Sequence, residues 1–284
     1  MLDQRATNTC EVETTRVSKE GSTKFLDALA TEEPLEIRVL KFDNSRKDWI
    51  RYSVAVTMRT PGNDFELATG FLFSEGVVKG KRDIAKISYC TDPKEKQLYN
   101  IVNVYLSDDV IFDPNSLSRQ TYTSSSCGIC GKRSIELVRS SCSSNPTGTF
   151  RIPFNELVSL QGRLSASQKI FSKTGGLHAS AMFDREGRLI ASREDIGRHN
   201  ALDKLVGWLL MMEKIPARDT ILIVSGRASF ELVQKAALAG IPFIASVGAP
   251  SSLAVSLAQE YGMTLVGFLR AQHFNVYSGA ERLE

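Results

Sequence analysis

Two cysteines three residues apart, Cys127 and Cys130, have the clearest capacity for chemistry in this chain. They lie between a serine-rich approach, residues 124–126, and a basic pair at 132–133 that precedes a segment predicted to be helical, residues 134–139. Nearby cations and a helix N-terminus favour the thiolate, which is both the nucleophile and the metal ligand. The pair is therefore suited to hold a metal, to cycle as a disulfide or to carry a sulfur atom.

These three uses make different demands on the rest of the chain. A structural zinc site needs two further ligands, yet there is no second Cys-x-x-Cys and the only histidines are His178, His199 and His273. A thioredoxin-type redox pair normally follows an early strand of a small domain, whereas this pair ends a polar segment in mid-chain. The other cysteines are isolated and are interpreted as ordinary residues: Cys10, Cys90 and Cys142.

Two turns rich in small residues, 225–229 and 246–252, each follow a predicted buried strand and precede a predicted helix. In parallel α/β sheets, ligands bind at the carboxyl ends of the strands. Helix N-termini there present free N–H groups and a positive dipole end to phosphate, and Arg227 adds a cation. Small residues also serve simply to make tight turns, but two such turns in succession favour a phosphate-bearing ligand.

Histidines stand at two further element boundaries. His178 follows a glycine pair at 175–176 and enters a predicted strand, and Arg198 and His199 belong to the first turn of an amphipathic helix that Asp195 is placed to cap. A single histidine is more often structural than catalytic. Because both of these lie in polar turns, a functional role and a structural one remain open for each.

A third predicted strand ends at Phe268 and Arg270, beside the two small-residue turns. The aromatic ring could stack on a base or a pterin, and the guanidinium could bind a phosphate. The alternative is that Phe268 belongs to the core and Arg270 to a solvated strand end.

The elements that must position these residues differ between the two halves of the chain. In the first half, alternating apolar residues predict a hairpin of strands at 35–42 and 49–60. We expect it to be followed by a helix at 63–74, strands at 84–90 and 98–106, and a long loop at 107–126 that delivers the cysteines. In the second half, we predict a helix at 154–171, a hairpin of strands at 178–183 and 188–193, and a strongly amphipathic helix at 202–210. Three strands, at 221–224, 243–247 and 263–269, then alternate with helices at 230–239 and 252–261. The final βαβαβ alternation predicts parallel strands with right-handed crossovers.

Composition limits the class of protein. The chain has 284 residues, 42% hydrophobic and 24% charged, which indicates a packed core. Its net charge of +3 is too small to predict a nucleic-acid or membrane partner, and no apolar run approaches the ~18 residues of a membrane span. The first 24 residues show no basic-then-apolar export pattern, and five thinly spread cysteines suit a reducing cytoplasm. We expect a cytoplasmic protein.

Several segments together resemble the FdhD family, the accessory sulfurtransferases of formate dehydrogenase, over about residues 30–284. No single segment would be specific, whereas the joint pattern is. The matching segments are Cys127–Gly131, Thr174–His178, Glu194–Lys204, Ser225–Ser229 and Thr264–Phe268, with Phe71–Gly76 upstream.

The resemblance implies an α/β fold, α+β overall. The polar first residues are interpreted as a flexible tail (1–24), followed by a β-rich N-terminal subdomain (25–120). The resemblance implies that residues 121–284, which carry the cysteine loop, form a three-layer domain similar to cytidine deaminases. A zinc deaminase is the alternative that this fold suggests. Such enzymes have Pro-Cys-x-x-Cys and His-x-Glu segments. This chain has Ser126 where the proline belongs, and His178-Ala179-Ser180 lacks the glutamate.

The resemblance also implies a function. A cysteine desulfurase would pass persulfide sulfur to Cys127, with Cys130 helping to relay or release it. The sulfur would then reach the molybdenum (or tungsten) bis(molybdopterin guanine dinucleotide) cofactor, bound as a substrate, for the catalytic subunit of formate dehydrogenase. No tightly bound metal ion of the chain's own and no nucleic-acid partner are expected, and a homodimer is implied. A chaperone that binds the cofactor without handling sulfur is the alternative from another functional class.

The family's cofactor-binding stretch falls on one short segment: Phe268, Leu269, Arg270, Ala271, Gln272 and His273. Many members have a glycine after the basic residue, where this chain has Ala271. From their positions, we expect Arg227, His178 and His199 to line the same site.

Overall fold

The computed structural model describes residues 7–92, 94–95, 98–114, 146, 148 and 150–284. Within these residues the strands form three sheets, of two, four and six strands. The mixed α/β architecture that the sequence predicts is therefore confirmed.

The two-stranded sheet is a hairpin of β1 (Thr9–Ser18) and β2 (Gly21–Ala30), which pair antiparallel along their whole length. The expectation of an irregular tail up to residue 24 is wrong for residues 9–24. Most side chains of this ribbon are exposed on both faces, so its strands lack the apolar alternation by which a half-buried strand is recognised. Cross-strand contacts accompany the pairing instead, such as Arg16 lying 4.7 Å from the centre of the Phe25 ring.

The four-stranded sheet contains β3 (Glu33–Asp43), β4 (Asp48–Arg59), β5 (Ile84–Tyr89) and β6 (Ile101–Leu106), in the order β4-β3-β6-β5. The predicted β3–β4 hairpin is confirmed. Strand β6 begins three residues later than predicted and pairs parallel with β3 and antiparallel with β5. A short 3-10 helix, Lys81–Asp83, precedes β5.

Helix α1 (Asp64–Ser74) follows β4 and packs against a helix of the C-terminal half, Arg198–Met211. The two cross at glycines: a Cβ on Gly70 would lie 1.9 Å from the Asp203 carbonyl oxygen, and one on Gly207 would lie 1.9 Å from that of Glu66. The backbones therefore touch where they cross, which only glycine permits at these two positions.

The six-stranded sheet contains β7 (His178–Asp184), β8 (Leu189–Asp195), β9 (Thr220–Val224), β10 (Phe243–Ser246), β11 (Thr264–Gly267) and β12 (Asn275–Ser278). Its order is β12-β11-β10-β9-β7-β8. The predicted parallel pairing of β9, β10 and β11 is confirmed. Strand β12 was not predicted; it pairs antiparallel with β11 and is followed by a 3-10 helix, Ala280–Arg282.

Helices cover both faces of this sheet. The helices are α2 (Phe154–Ser167), the short α3 (Phe171–Thr174), α4 (Arg198–Met211), α5 (Phe230–Leu238) and α6 (Ser252–Glu260). Leu157, Leu160 and Leu164 of α2 pack on one face. Helices α4, α5 and α6 pack on the other, in a core that continues into the four-stranded sheet. Residues 154–171, predicted as one helix, are divided between α2 and α3.

The loops that follow β9, β10 and β11 and the N-termini of α5 and α6 lie at one edge of the large sheet. The likeness to cytidine deaminases and the domain boundary at residue 121, which lies outside the described residues, stay predictions. No helix in the described part of the chain is both long and apolar enough to cross a membrane.

Candidate functional site at the carboxyl edge of the parallel strands

The turns that follow β9, β10 and β11 meet at one edge of the sheet. The N–H of Gly248 donates to the Gly226 carbonyl at 2.9 Å, and the N–H of Phe268 donates to the Gly248 carbonyl at 3.1 Å. These bonds extend the ladder beyond the strand ends and hold the three turns in register. The predicted meeting of the small-residue turns is confirmed, and we call this region the edge site.

Glycine is required at position 248, where two of these turns touch. A Cβ on Gly248 would lie 2.9 Å from the Cα of Arg227, and one on Gly226 would lie 3.3 Å from the Nδ1 of His178. The first distance is shorter than a side chain tolerates, and the second leaves His178 in contact with the turn. Small residues therefore do more here than permit a bend, because they let the His178 imidazole lie against the backbone.

His178 opens β7, which runs antiparallel to β9, so its side chain lies at the end of β9 where the first turn begins. The Ala179 N–H donates to Ser225 Oγ at 2.9 Å and the Ser225 N–H donates to the Ala179 carbonyl at 2.9 Å, which fixes this junction. Burial lowers the pKa of His178, and the positive charges of Arg198 and His199 lower it further, against an opposing effect of Asp195. The imidazole is therefore neutral at physiological pH.

His199 binds a carboxylate that the sequence analysis did not single out. Its Nε2 lies 2.9 Å from Glu231 Oε2 and 3.4 Å from Ser229 Oγ. The hydrogen bond from His199 lowers the pKa of Glu231, outweighing the opposing effect of burial. The available signal was the Ser229-x-Glu231 spacing, which places a carboxylate in the first turn of α5.

Arg198 precedes His199 in the chain and lies close enough to His178 to affect its pKa. Its Cδ would lie 3.7 Å from a Cβ on Gly226, and its Nε is buried with no hydrogen-bond partner among the residues that the structure describes. Arg198 lowers the pKa of both His178 and Glu231, which places its charge close to each. The edge site thus combines a cation with two imidazoles of different surroundings.

Other residues of the 194–204 segment are structural. Asp195, which is completely buried, pairs with Lys204 Nζ at 2.7 Å and accepts hydrogen bonds from the N–H groups of Gly197 and Thr60. The expected capping of α4 by Asp195 is wrong: Gly197 is the N-cap residue, no side chain of the described residues caps the helix, and Asp195 ends β8 and accepts from the Gly197 N–H ahead of the helix. Glu194 accepts bonds from the N–H groups of residues 170 and 171 at the start of α3.

The segment expected to bind the cofactor divides into buried and exposed residues. Leu269 is fully buried in the core against α2. Arg270 Nη1 donates to the carbonyls of Val247 and Leu269 at 2.7 and 2.8 Å. Phe268, in contrast, is 37% exposed and has a left-handed φ of 53°, a strained conformation of the kind that concentrates at functional sites.

The remaining predicted site residues face solvent or lie elsewhere. Ala271, Gln272, His273 and Arg227 are exposed. Cys127 and Cys130 lie outside the described residues. A cleft of about 460 Å³ adjoins His178 and is bounded by α2, the glycine pair at 175–176 and Val247.

With this geometry established, comparison with known proteins identifies the family. The model of the FdhD/NarQ family matches residues 30–284. The chain belongs to the FdhD/NarQ family. Proteins named Sulfur carrier protein FdhD are 50% identical in Streptomyces coelicolor, over 90% of this chain and 89% of that protein. In Mycobacterium tuberculosis the identity is 48%, over 90% of this chain and 92% of that protein.

A solved structure shares the fold. The crystal structure of a protein from Desulfotalea psychrophila, described as a formate dehydrogenase accessory protein, superposes with a TM-score of 0.72 at 25% identity. The match covers 97% of this chain and 99% of that one. The recognition of the family from sequence segments is therefore confirmed.

Proposed function

We propose that this protein is a sulfur carrier that serves the maturation of formate dehydrogenase. The observation that carries the proposal is the near full-length identity, 50%, to a protein named Sulfur carrier protein FdhD. The structural match to a formate dehydrogenase accessory protein supports the same assignment. On the family resemblance, the proposal includes a cytoplasmic homodimer.

In the proposed first step, the Cys127 thiolate attacks the terminal sulfur of a persulfide on a cysteine desulfurase. A sulfur–sulfur bond forms on Cys127, the donor's sulfur–sulfur bond breaks, and the donor leaves as a thiolate. Cys127 thereby becomes a persulfide, and no external oxidant or reductant is consumed.

In the proposed second step, the Cys130 thiol attacks the inner sulfur of the Cys127 persulfide. A Cys127–Cys130 disulfide forms and the terminal sulfur leaves as hydrosulfide, so the two thiols supply the two electrons. The proton of Cys130 passes to the departing sulfur. The acceptor would be the molybdenum or tungsten bis(molybdopterin guanine dinucleotide) cofactor, bound as a substrate before the catalytic subunit of formate dehydrogenase receives it.

The edge site supports binding of such an anionic substrate. Helices α5 and α6 begin immediately after two of its turns, which is where N–H groups and helix dipoles attract phosphate. Arg198 contributes a buried Nε with no partner among the described residues. Phe268 offers an exposed ring that could stack on a planar heterocycle.

Mass spectrometry of the intact protein tests the carrier role. After incubation with a cysteine desulfurase and cysteine, we expect a gain of about 32 Da that maps to Cys127 and is removed by reductant. Cys127→Ala should take up no sulfur and fail to activate formate dehydrogenase, while still binding the cofactor. Cys10→Ala, at an exposed position of β1, is the matched control and should behave as the unmodified protein.

The outcome also decides between the carrier and a cofactor chaperone. A chaperone would bind the cofactor through the same edge site without using the cysteines. If Cys127→Ala still activated formate dehydrogenase, the sulfur-carrier proposal would be abandoned in favour of that role.

A further inference from the structure

Glu231 belongs to a three-membered cluster of side chains from two helices. Its Oε2 lies 2.9 Å from His199 Nε2. Ser229 Oγ donates to the same carboxylate oxygen at 3.3 Å and lies 3.4 Å from His199 Nε2. Glu231 and Ser229 come from the start of α5, and His199 comes from the first turn of α4. The cluster therefore ties together two helix N-termini at the edge site.

This contact determines which nitrogen of His199 is left for a ligand. With Nε2 bonded to the carboxylate, the ring is oriented and only Nδ1 remains for another partner. Both side chains are partly open to solvent, 30% exposed for His199 and 25% for Glu231, so a substrate can reach the ring. Carboxylate partners of this kind orient histidines in many metal and catalytic sites.

We propose that Glu231 is a positioning residue of the edge site: it holds His199 through Nε2, so that Nδ1 faces the bound substrate. The inference rests on the proposed function where it concerns sulfur transfer. The groups facing His199 are Glu231 and Ser229 from α5, Arg198 from its own helix and His178 from β7.

The arrangement gives the two imidazoles of the edge site different roles. His178 is neutral and has no carboxylate bonded to its ring among the described contacts, so it can accept a proton. His199 donates its Nε2–H to Glu231 and therefore presents an oriented Nδ1 to the site. The proposed sulfur release moves a proton from one thiol to the departing sulfur, and a neutral imidazole beside an oriented one suits that transfer.

Nitrogen-15 NMR of the imidazole rings tests the contact directly. The chain has three histidines, so the signals are few, and variants of His178 and His273 assign them. We expect the His199 Nε2–H signal to be protected from exchange in the unmodified protein and in Glu231→Asp, and to lose that protection in Glu231→Ala. Glu186→Ala, which removes an exposed carboxylate in the β7–β8 turn, should leave it unchanged.

The rate of sulfur release from loaded Cys127 supplies the functional readout. We expect Glu231→Ala to slow release about tenfold or more, with Glu231→Asp restoring most of the rate and Glu186→Ala having no effect. An unprotected His199 signal in the unmodified protein would overturn the inference, as would an unchanged rate in Glu231→Ala. Failure of Cys127 to accept sulfur at all would instead contradict the proposed function, and the NMR result would still decide whether the contact exists.

Discussion

His178 and Asp195 are ionisable groups near the same edge of the sheet, yet their surroundings assign them opposite tasks. Asp195 is fully buried, but Lys204 and two backbone N–H groups satisfy its charge. His178 is half-buried beside the cation Arg198, which together with burial disfavours its protonated form. One group therefore stabilises the fold as an ion, and the other remains neutral and available at the edge site.

Removing the positive charge of Arg198 should raise the pKa of His178. In Arg198→Gln we expect the pKa of His178 to rise toward its ordinary value of 6.5, because a positive charge that opposes protonation is removed. NMR titration of the ring measures it. Arg188→Gln is the control, because Arg188 is exposed and lies immediately before β8. It should not change the midpoint of the His178 titration.

The same shift has a consequence for stability. The folded protein holds the His178 proton less tightly than the unfolded chain does, so this group lowers the free energy of unfolding as pH falls from about 6.5 through the depressed folded pKa. Arg198→Gln should weaken that pH dependence. A steeper loss of stability with acid in Arg198→Gln would contradict this account.

Helices α1 and α4 join the two large sheets through a backbone contact. Gly70 and Gly207 each lie against the main chain of the opposite helix, and leucines of α4 enter the core shared with the four-stranded sheet. Glycine weakens an isolated helix by about 0.5–1 kcal/mol relative to alanine. The close crossing offsets that cost by allowing both helices to pack at short range.

Alanine substitutions at two helical glycines should therefore have opposite effects. Gly207→Ala places a Cβ 1.9 Å from the Glu66 carbonyl oxygen, and we expect it to lower the free energy of unfolding by about 1–3 kcal/mol or more. Gly162→Ala, in α2 with no atom within 4 Å of the added Cβ, should raise it by about 0.5–1 kcal/mol. Urea denaturation measures both, and a neutral Gly207→Ala would disprove the close crossing.

At the scale of the whole molecule, the buried pair of Lys204 and Asp195 is hydrogen-bonded to Thr60 of the N-terminal half. Lys204 Nζ pairs with Asp195 at 2.7 Å and donates to the Thr60 carbonyl at 2.9 Å, while the Thr60 N–H donates to Asp195. Thr60 follows β4, Asp195 ends β8 and Lys204 lies in α4. Asn200 Nδ2 adds a bond to the Met58 carbonyl at 2.8 Å. The helix that begins at the edge site is thus tied to both sheets.

Removing the cation of this pair should be costly. In Lys204→Met the buried Asp195 carboxylate loses its counter-ion, and we expect the free energy of unfolding to fall by about 3–5 kcal/mol. Lys24→Met breaks an exposed pair with Glu13 on the N-terminal hairpin and should cost no more than about 1 kcal/mol. Thermal or urea denaturation compares the two variants; equal losses would show that the buried pair does not support the fold.

Local patterns in the sequence were enough to predict much of the fold. The alternation of β3 and β4, the amphipathic spacing of α4 and the βαβαβ order of residues 220–267 each depend on neighbours a few positions apart, and each is confirmed. Because parallel strands end at a common edge, the meeting of the small-residue turns could also be predicted. The ribbon of β1 and β2 could not, since neither of its faces is buried.

The amino-acid sequence by itself determined the family, the order of most of the elements and the region of the candidate site, because segment patterns and periodicity are local properties. Only the tertiary structure decided that Glu231 holds His199 and that Arg270 donates to backbone carbonyls. It likewise decided that Asp195 pairs with Lys204 and that Gly70 faces α4. Most of these contacts join separate elements, and their distances depend on how helices and sheets pack, which no local pattern records.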